Sequence, residues 1–454
     1  MSLAVAGVEL GARDPLRRVL RVEVEGEPFD RGAEPALEPL GPLVADVAIR
    51  SDVVAPDRDG VLGHAARLPA LPPKGRRAPP VCTLAVFPLS AARPLALLSF
   101  AVLLAAAGCA GGERTPSAAA GCQRSWAPVA VPPGGKGLFD VEAFAVDDVW
   151  AVGERTGSAT TEALVEHWDG GSWAVVPGSG AGSLSAVAGV RADDLWAVGY
   201  VSGAAAGEDT PLVQHWDGSA WEPSPVPPAA AGIDLTDVSV ASADEAWAVG
   251  TSPRRHGFSR SLVLHWDGSA WEVASSPRGE AGLLGVAVAG PDDAWAVGFS
   301  VVATTQETRT LVQHWDGSAW QVVPAPSPGS LSVLYRVEAI AEDDVWAVGS
   351  SSGYGPGAAL IEHWDGSHWE VVRGPAAARA LVSVAAAAED DVWSVGYDGQ
   401  GPMIARWDGE AWGAVDGAPA RGALEGVATA PGGQVWAVGE DGSAALATRF
   451  ACVP

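Results

Sequence analysis

The chain has 454 residues, 48% of them hydrophobic and 18% charged, with 56 Gly, 35 Pro and a formal net charge of −27. Such a length suits two or three average domains or one repeat array, and the Gly and Pro content excludes a coiled coil while favouring many short strands joined by turns. The acidic balance excludes nucleic acid, because phosphate contacts need a basic face, and favours cationic partners.

Residues 1–80 show no sustained period of 2 or 3.6, are rich in Arg, Pro and Glu, and hold none of the 20 Trp. They are expected to be unstructured, or to lie upstream of a true translation start near Val81 or Val86. Residues 81–108 read as a signal peptide. Arg93 precedes an apolar core from Pro94 to Ala107, too short for a comfortable membrane span. The exit, Ala106-Ala107-Gly108-Cys109, resembles the lipobox of bacterial lipoproteins. That resemblance implies that Cys109 is lipidated, so the protein would meet a membrane only through a lipid anchor in the cell envelope, with plain secretion as the alternative. Residues 109–121 are small and polar and read as a flexible tether.

From Cys122 to Pro454 the sequence repeats. Asp-Asp-Val-Trp-Ala-Val-Gly and its variants place a Trp at 150, 196, 247, 295, 346, 393 and 436. The intervals of 46, 51, 48, 51, 47 and 43 residues between those positions suit one propeller blade each. A second motif, His-Trp-Asp-Gly-Ser-Ala-Trp, stands at 215–221, 265–271 and 314–320, with variants at 167–173, 363–369 and 406–412. An apolar run leading into Asp-Gly and returning through Trp is a β-hairpin, since Gly supplies the positive φ of the turn.

Each repeat resolves into four strands. A small apolar Leu-x-x-Val strand comes first, followed by the Val-Trp-Ala-Val-Gly strand, then Leu-Val-x-His-Trp, then a fourth strand that begins at the hairpin Trp. Short antiparallel strands with both sheet faces apolar must stack on neighbouring copies, which makes an all-β, seven-bladed β-propeller of four-stranded antiparallel blades. The last repeat ends after its third strand, and Ser125 to Pro132 supplies the missing fourth, with Trp126 in the register of Trp221. Laid on the hairpin motif, Phe450 takes the place of the first Trp, Cys452 the turn Gly and Cys122 the turn Asp. A Cys122–Cys452 disulfide is therefore predicted to close the ring, in keeping with an exported protein.

The second strand ending in Gly, the aromatic-Asp turn and the following Trp resemble the kelch and galactose-oxidase class of propellers, although kelch repeats carry a Gly-Gly where this chain has a single Gly (Gly199, Gly250). The resemblance implies the fold. It carries over no active site, because the copper-ligating Tyr and His and the Tyr–Cys crosslink of galactose oxidase have no match here, so no cofactor is expected.

Residues repeated in every blade read as scaffold. His167, His215, His265, His314 and His363 are expected to pack and to bond turns rather than to bind metal, and the Asp-Asp pairs to bond backbone N–H groups. Specificity belongs where the repeats differ. The connections between second and third strands vary in length, and one of them, basic in an acidic protein, offers Arg254, Arg255, His256 and Arg260 to an anionic group. The residue before the Val of each first strand reads Asp140, Ala186, Asp237, Gly285, Arg336, Ser383 and Gly426 around the ring, so Asp140, Asp237 and Arg336 can meet a polar ligand or line a water-filled channel. The expected function is binding of a protein or glycan at the cell surface by a monomeric, non-enzymatic scaffold. A polysaccharide lyase or sialidase-like hydrolase is the alternative.

Overall fold

The structure is a computed structural model that describes residues 123–453, apart from 158–159, 178–179, 204–208, 253–259, 275–279, 354–356 and 443. The segments 1–80, 81–108 and 109–121, with Cys82, Cys109 and Cys122, lie outside the described residues.

Among the described residues the chain forms 28 strands and one short 3-10 turn, Pro228–Ala230. Five sheets contain four antiparallel strands each. A sixth contains eight, being two such groups joined by one parallel pair, Thr308 with Leu331. This makes seven four-stranded blades. The innermost strands are Gly135–Ala145, Ser183–Arg191, Asp234–Ser242, Ala281–Gly290, Leu331–Ala341, Ala380–Ala388 and Ala423–Ala430. Each packs against the next and the seventh packs against the first, so the ring is closed.

The seventh blade holds three strands from the C-terminal end, Ala423–Ala430, Gln434–Glu440 and Ala445–Val453, and takes its outermost strand, Gln123–Val129, from the other end of the propeller. Trp126 pairs with Phe450 in the same way that Trp221 pairs with Trp216 in the second blade, as the sequence predicts.

Blade faces are joined by aromatic rings. Trp150 of the first blade lies 5.0 Å from Trp216 and 6.0 Å from Trp221 of the second. The pattern recurs around the circle up to the closure, where Trp393 meets Phe450 at 5.1 Å and Trp126 at 5.8 Å, and Trp436 meets Trp168 at 5.1 Å and Trp173 at 5.2 Å. Each such ring buries enough apolar surface to stabilise by roughly 4–6 kcal/mol at most. The core is therefore seven blade-to-blade seams.

Two backbone positions require glycine. In the Asp-Gly turns φ is positive, 87° at Gly218 and 84° at Gly366, and the Asp carboxylate organises the turn. Asp217 Oδ1 accepts from the backbone N–H of Ser219 at 2.8 Å and of Ala220 at 2.9 Å. With the Ser219 hydroxyl also donating to it, its pKa is drawn down to about 2. The glycine that closes each second strand has a different cause. A Cβ at Gly349 would run into the carbonyl oxygen of Val333, and one at Gly199 into that of Ser183, so the first and second strands approach too closely there for any side chain.

Candidate functional site: the channel and the variable rim

The hairpin histidines do structural work, and the detail differs from the expectation for the Asp-Asp turns. Among the described residues each turn's second Asp bonds the side chain of the third strand and not a backbone N–H. Oδ1 of Asp148, Asp194, Asp293 and Asp344 lies 2.8 Å from Nε2 of His167, His215, His314 and His363 respectively. The imidazoles in turn stack on the second-strand Trp, as His314 does on Trp295 at 4.2 Å. In the sixth blade Arg406 substitutes, donating from Nε to Asp391 at 2.7 Å and covering Trp393 at 5.1 Å. Aligning a planar donor between a carboxylate and an indole uses both groups, and their spacing in separate blades keeps the histidines apart.

The channel is shaped by a feature that period-two reasoning misses. All seven innermost strands shift register at the same step, between Leu138 and Asp140 in the first blade, Leu235 and Asp237 in the third, and Leu334 and Arg336 in the fifth. The other four do so between Leu184 and Ala186, Leu283 and Gly285, Leu381 and Ser383, and Leu424 and Gly426. A bulge inserts one extra residue and turns two consecutive side chains toward the same region. Phe139, Ser185, Leu284, Tyr335, Val382 and Glu425 thus reach the channel beside the ring that the sequence identifies.

Arg336 crosses this channel. From the fifth blade its Nη1 pairs with Asp237 Oδ1 at 2.5 Å and donates to the Thr236 carbonyl at 3.1 Å, both in the third blade. Its Nη2 lies 3.4 Å from the Ser185 carbonyl in the second blade and 4.0 Å from Asp140 Oδ1 in the first. The two aspartates also stitch neighbouring blades, because Asp140 Oδ2 accepts from Val187 N–H at 3.0 Å and Asp237 Oδ2 from Val286 N–H at 2.8 Å. Ser383 repeats the device with Val427 N–H at 3.2 Å. Where the ring residue is Gly285 or Gly426, a Cβ would press on the Cα of Arg336 or Asp140.

Burial pushes Asp237 up to about 6 against the pull of Arg336, and raises Asp140 for the same reason. Burial likewise disfavours the Arg336 cation, but Asp237 and then Asp140 more than offset it, so its pKa ends above the ordinary value.

Arg336 lines a cavity on each side of itself. One, of about 180 Å³, also has Asp140, Asp237, Glu142, Glu338, Ser239 and Thr429 in its lining. There burial and then repulsion from Asp140 raise Glu142 to about 8, and burial raises Glu338 to about 7. The other, of about 290 Å³, is bounded by Phe139, Ser185, Leu284, Tyr335, Val382, Glu425 and Arg336. Because each first strand runs from the bulge toward its Asp-Asp turn, the second cavity opens toward the opposite rim, which carries the connections between second and third strands.

Those connections span four residues at 157–160, 398–401 and 441–444, and nine at 252–260. Arg254, Arg255 and His256 lie outside the described residues. Arg260 is exposed at the foot of its loop, where its N–H donates to Ser252 Oγ at 2.9 Å and its carbonyl accepts from Ser252 N–H at 3.0 Å. The structure therefore brings Asp140, Asp237 and Arg336 into one cluster, and that cluster does not include Arg260.

No family model matches the chain, and no curated protein matches it. Solved structures of similar shape include "YCF48 bound to D1 peptide", 16% identical, covering 72% of this chain and 96% of its own at a TM-score of 0.48. YCF48 from Cyanidioschyzon merolae is 15% identical and covers 72% of this chain and 98% of its own, also at 0.48. A streptogramin B lyase structure is 9% identical, with 72% and 98% covered and a TM-score of 0.49.

Proposed function

We propose that this propeller is a non-enzymatic binding scaffold that recognises a protein or glycan through the rim carrying its unequal loops. One contrast supports the reading. The Asp-Asp and Asp-Gly turns repeat from blade to blade and are consumed by His, Arg and backbone partners, whereas the opposite rim varies from four to nine residues per connection. A repeated scaffold with one variable face is how loops on a rigid frame acquire specificity. Replacing 252–260 by a four-residue connection like 398–401 and screening glycans and envelope proteins for capture tests it. Loss of capture with an unchanged melting temperature is expected. Turnover of a captured glycan would replace binding by catalysis.

Export belongs to the same reading. Residues 81–108 direct the chain out of the cytoplasm, Cys109 carries the lipid anchor and 109–121 form the tether, all of which intact mass and lipid labelling in cells would test. A Cys122–Cys452 disulfide fastens the closing strand. Its support is that the terminal ladder begins with Gln123 opposite Val453, each the residue after one of the two cysteines. Closing a loop of this length stabilises by roughly 5 kcal/mol in the chain-entropy account.

A further inference from the structure

We propose that the cavity at the variable-rim mouth of the channel, lined by Phe139, Leu284, Tyr335, Val382 and Glu425 above Arg336, receives a lysine side chain presented by the partner protein. The inference deepens the rim-binding reading and rests on it.

The wall chemistry selects the ligand. Phe139 and Tyr335 bring aromatic rings to the cup, and Leu284 and Val382 bring aliphatic surface. The Tyr335 hydroxyl is already bonded to Ser350 Oγ at 2.9 Å, which leaves the ring as its contribution. Arg336 at the floor has its charge met by Asp237 and Asp140, so it is not an open anion site. Glu425 takes part in no ion pair among the described residues, is partly buried, and feels Glu440 nearby, so burial and that repulsion raise its pKa, with the Arg336 charge offsetting part of the rise. An entering cation would relieve both penalties. Aromatic faces attract a cation electrostatically, and a carboxylate beside them gives a charge-assisted acceptor. The aliphatic lining suits a ligand that carries its charge at the end of a hydrocarbon stem, and a volume of about 290 Å³ suits a single side chain. The net charge of −27 adds long-range attraction for such a group.

The test is isothermal titration of the full chain with three probes: Nα-acetyl-lysine methylamide, butane-1,4-diamine and n-butanol. The lysine amide is expected to bind, and n-butanol to bind at least about tenfold more weakly for want of the charge. Glu425→Gln should weaken the amide by about tenfold with the melting temperature unchanged, since one charge-assisted contact is lost. Leu284→Lys, which tethers an ammonium inside the cup, should abolish binding of the free amide. Equal binding of n-butanol, or amide binding indifferent to Glu425→Gln, would overturn the proposal. Tighter binding of the diamine than of the amide would overturn the choice of a protein lysine in favour of a free polyamine. Should the amide fail to bind while exchange of loop 252–260 still abolishes capture, only the cup falls and the rim reading stands.

Discussion

Arg336→Met removes the cation that meets two buried carboxylates at the channel axis. Asp237 and Asp140 have side chains only 9% and 14% exposed, and the guanidinium also satisfies the Thr236 and Ser185 carbonyls. Breaking a buried pair from one side leaves uncompensated charge, which costs about 3–5 kcal/mol. The cost should depend on pH, because Asp237, already near 6 with Arg336 present, rises further without it and becomes neutral in mild acid. Guanidinium unfolding at pH 7.5 should therefore show the full loss as a shift in midpoint at constant slope, and at pH 5 clearly less. Arg336→Met combined with Asp237→Asn should recover part of the loss, since an apolar and a neutral polar group replace an ion pair more gently than half of one does. A loss below about 1 kcal/mol at pH 7.5, or the same loss at both pH values, would show that Arg336 does not neutralise the two aspartates across the channel.

Glu166 and Glu362 sit fully buried in blade seams with no bonded partner for either oxygen among the described residues, and burial raises them to about 7 and about 8. Their folded pKa values lie above the unfolded value of 4.5, so the native state binds more protons between them and stability should fall as pH rises from about 4.5 to about 8; melting temperatures of Glu166→Gln/Glu362→Gln across that window should change less with pH than those of wild type. Gly349→Ala should destabilise by about 3 kcal/mol in denaturant titration, because its Cβ meets the Val333 carbonyl oxygen and the inner strand must move. Trp196→Ala should lose about 3–5 kcal/mol, since Trp196 joins Trp266 at 4.7 Å and Trp271 at 5.1 Å across a seam, whereas His215→Ala, partly exposed, should lose only about 1 kcal/mol.

Blade number, strand order and ring closure were readable because each blade spends the same residues on the same tasks. A Trp in fixed register announces a seam, and Asp-Gly announces a turn. The borrowed closing strand was readable from what the last repeat lacked, and Trp126 and Phe450 fill the missing pair. The channel was only half readable. The position before the Val of Leu-x-x-Val put Asp140, Asp237 and Arg336 at the channel, but nothing in that pattern pointed to their neighbours Phe139, Tyr335 and Glu425. The register break at that step brings them to the channel, and a bulge leaves no local signature in Leu-x-x-Val. The one hint was the invariable second-strand Gly opposite the Leu before each break, as Gly349 is opposite Leu334. That Arg336 reaches three other blades could not be read, because contacts across a ring have no sequence separation to betray them.

The circle closes through the strand Gln123–Val129, and hydrogen exchange of its amides tests that closure most directly. If that strand is the outer edge of the seventh blade, its bonded amides should exchange with the same protection as those of Ala445–Val453, its antiparallel partner. Exchange of Gln123–Val129 at the rate of a free tail, with Ala445–Val453 still protected, would contradict it.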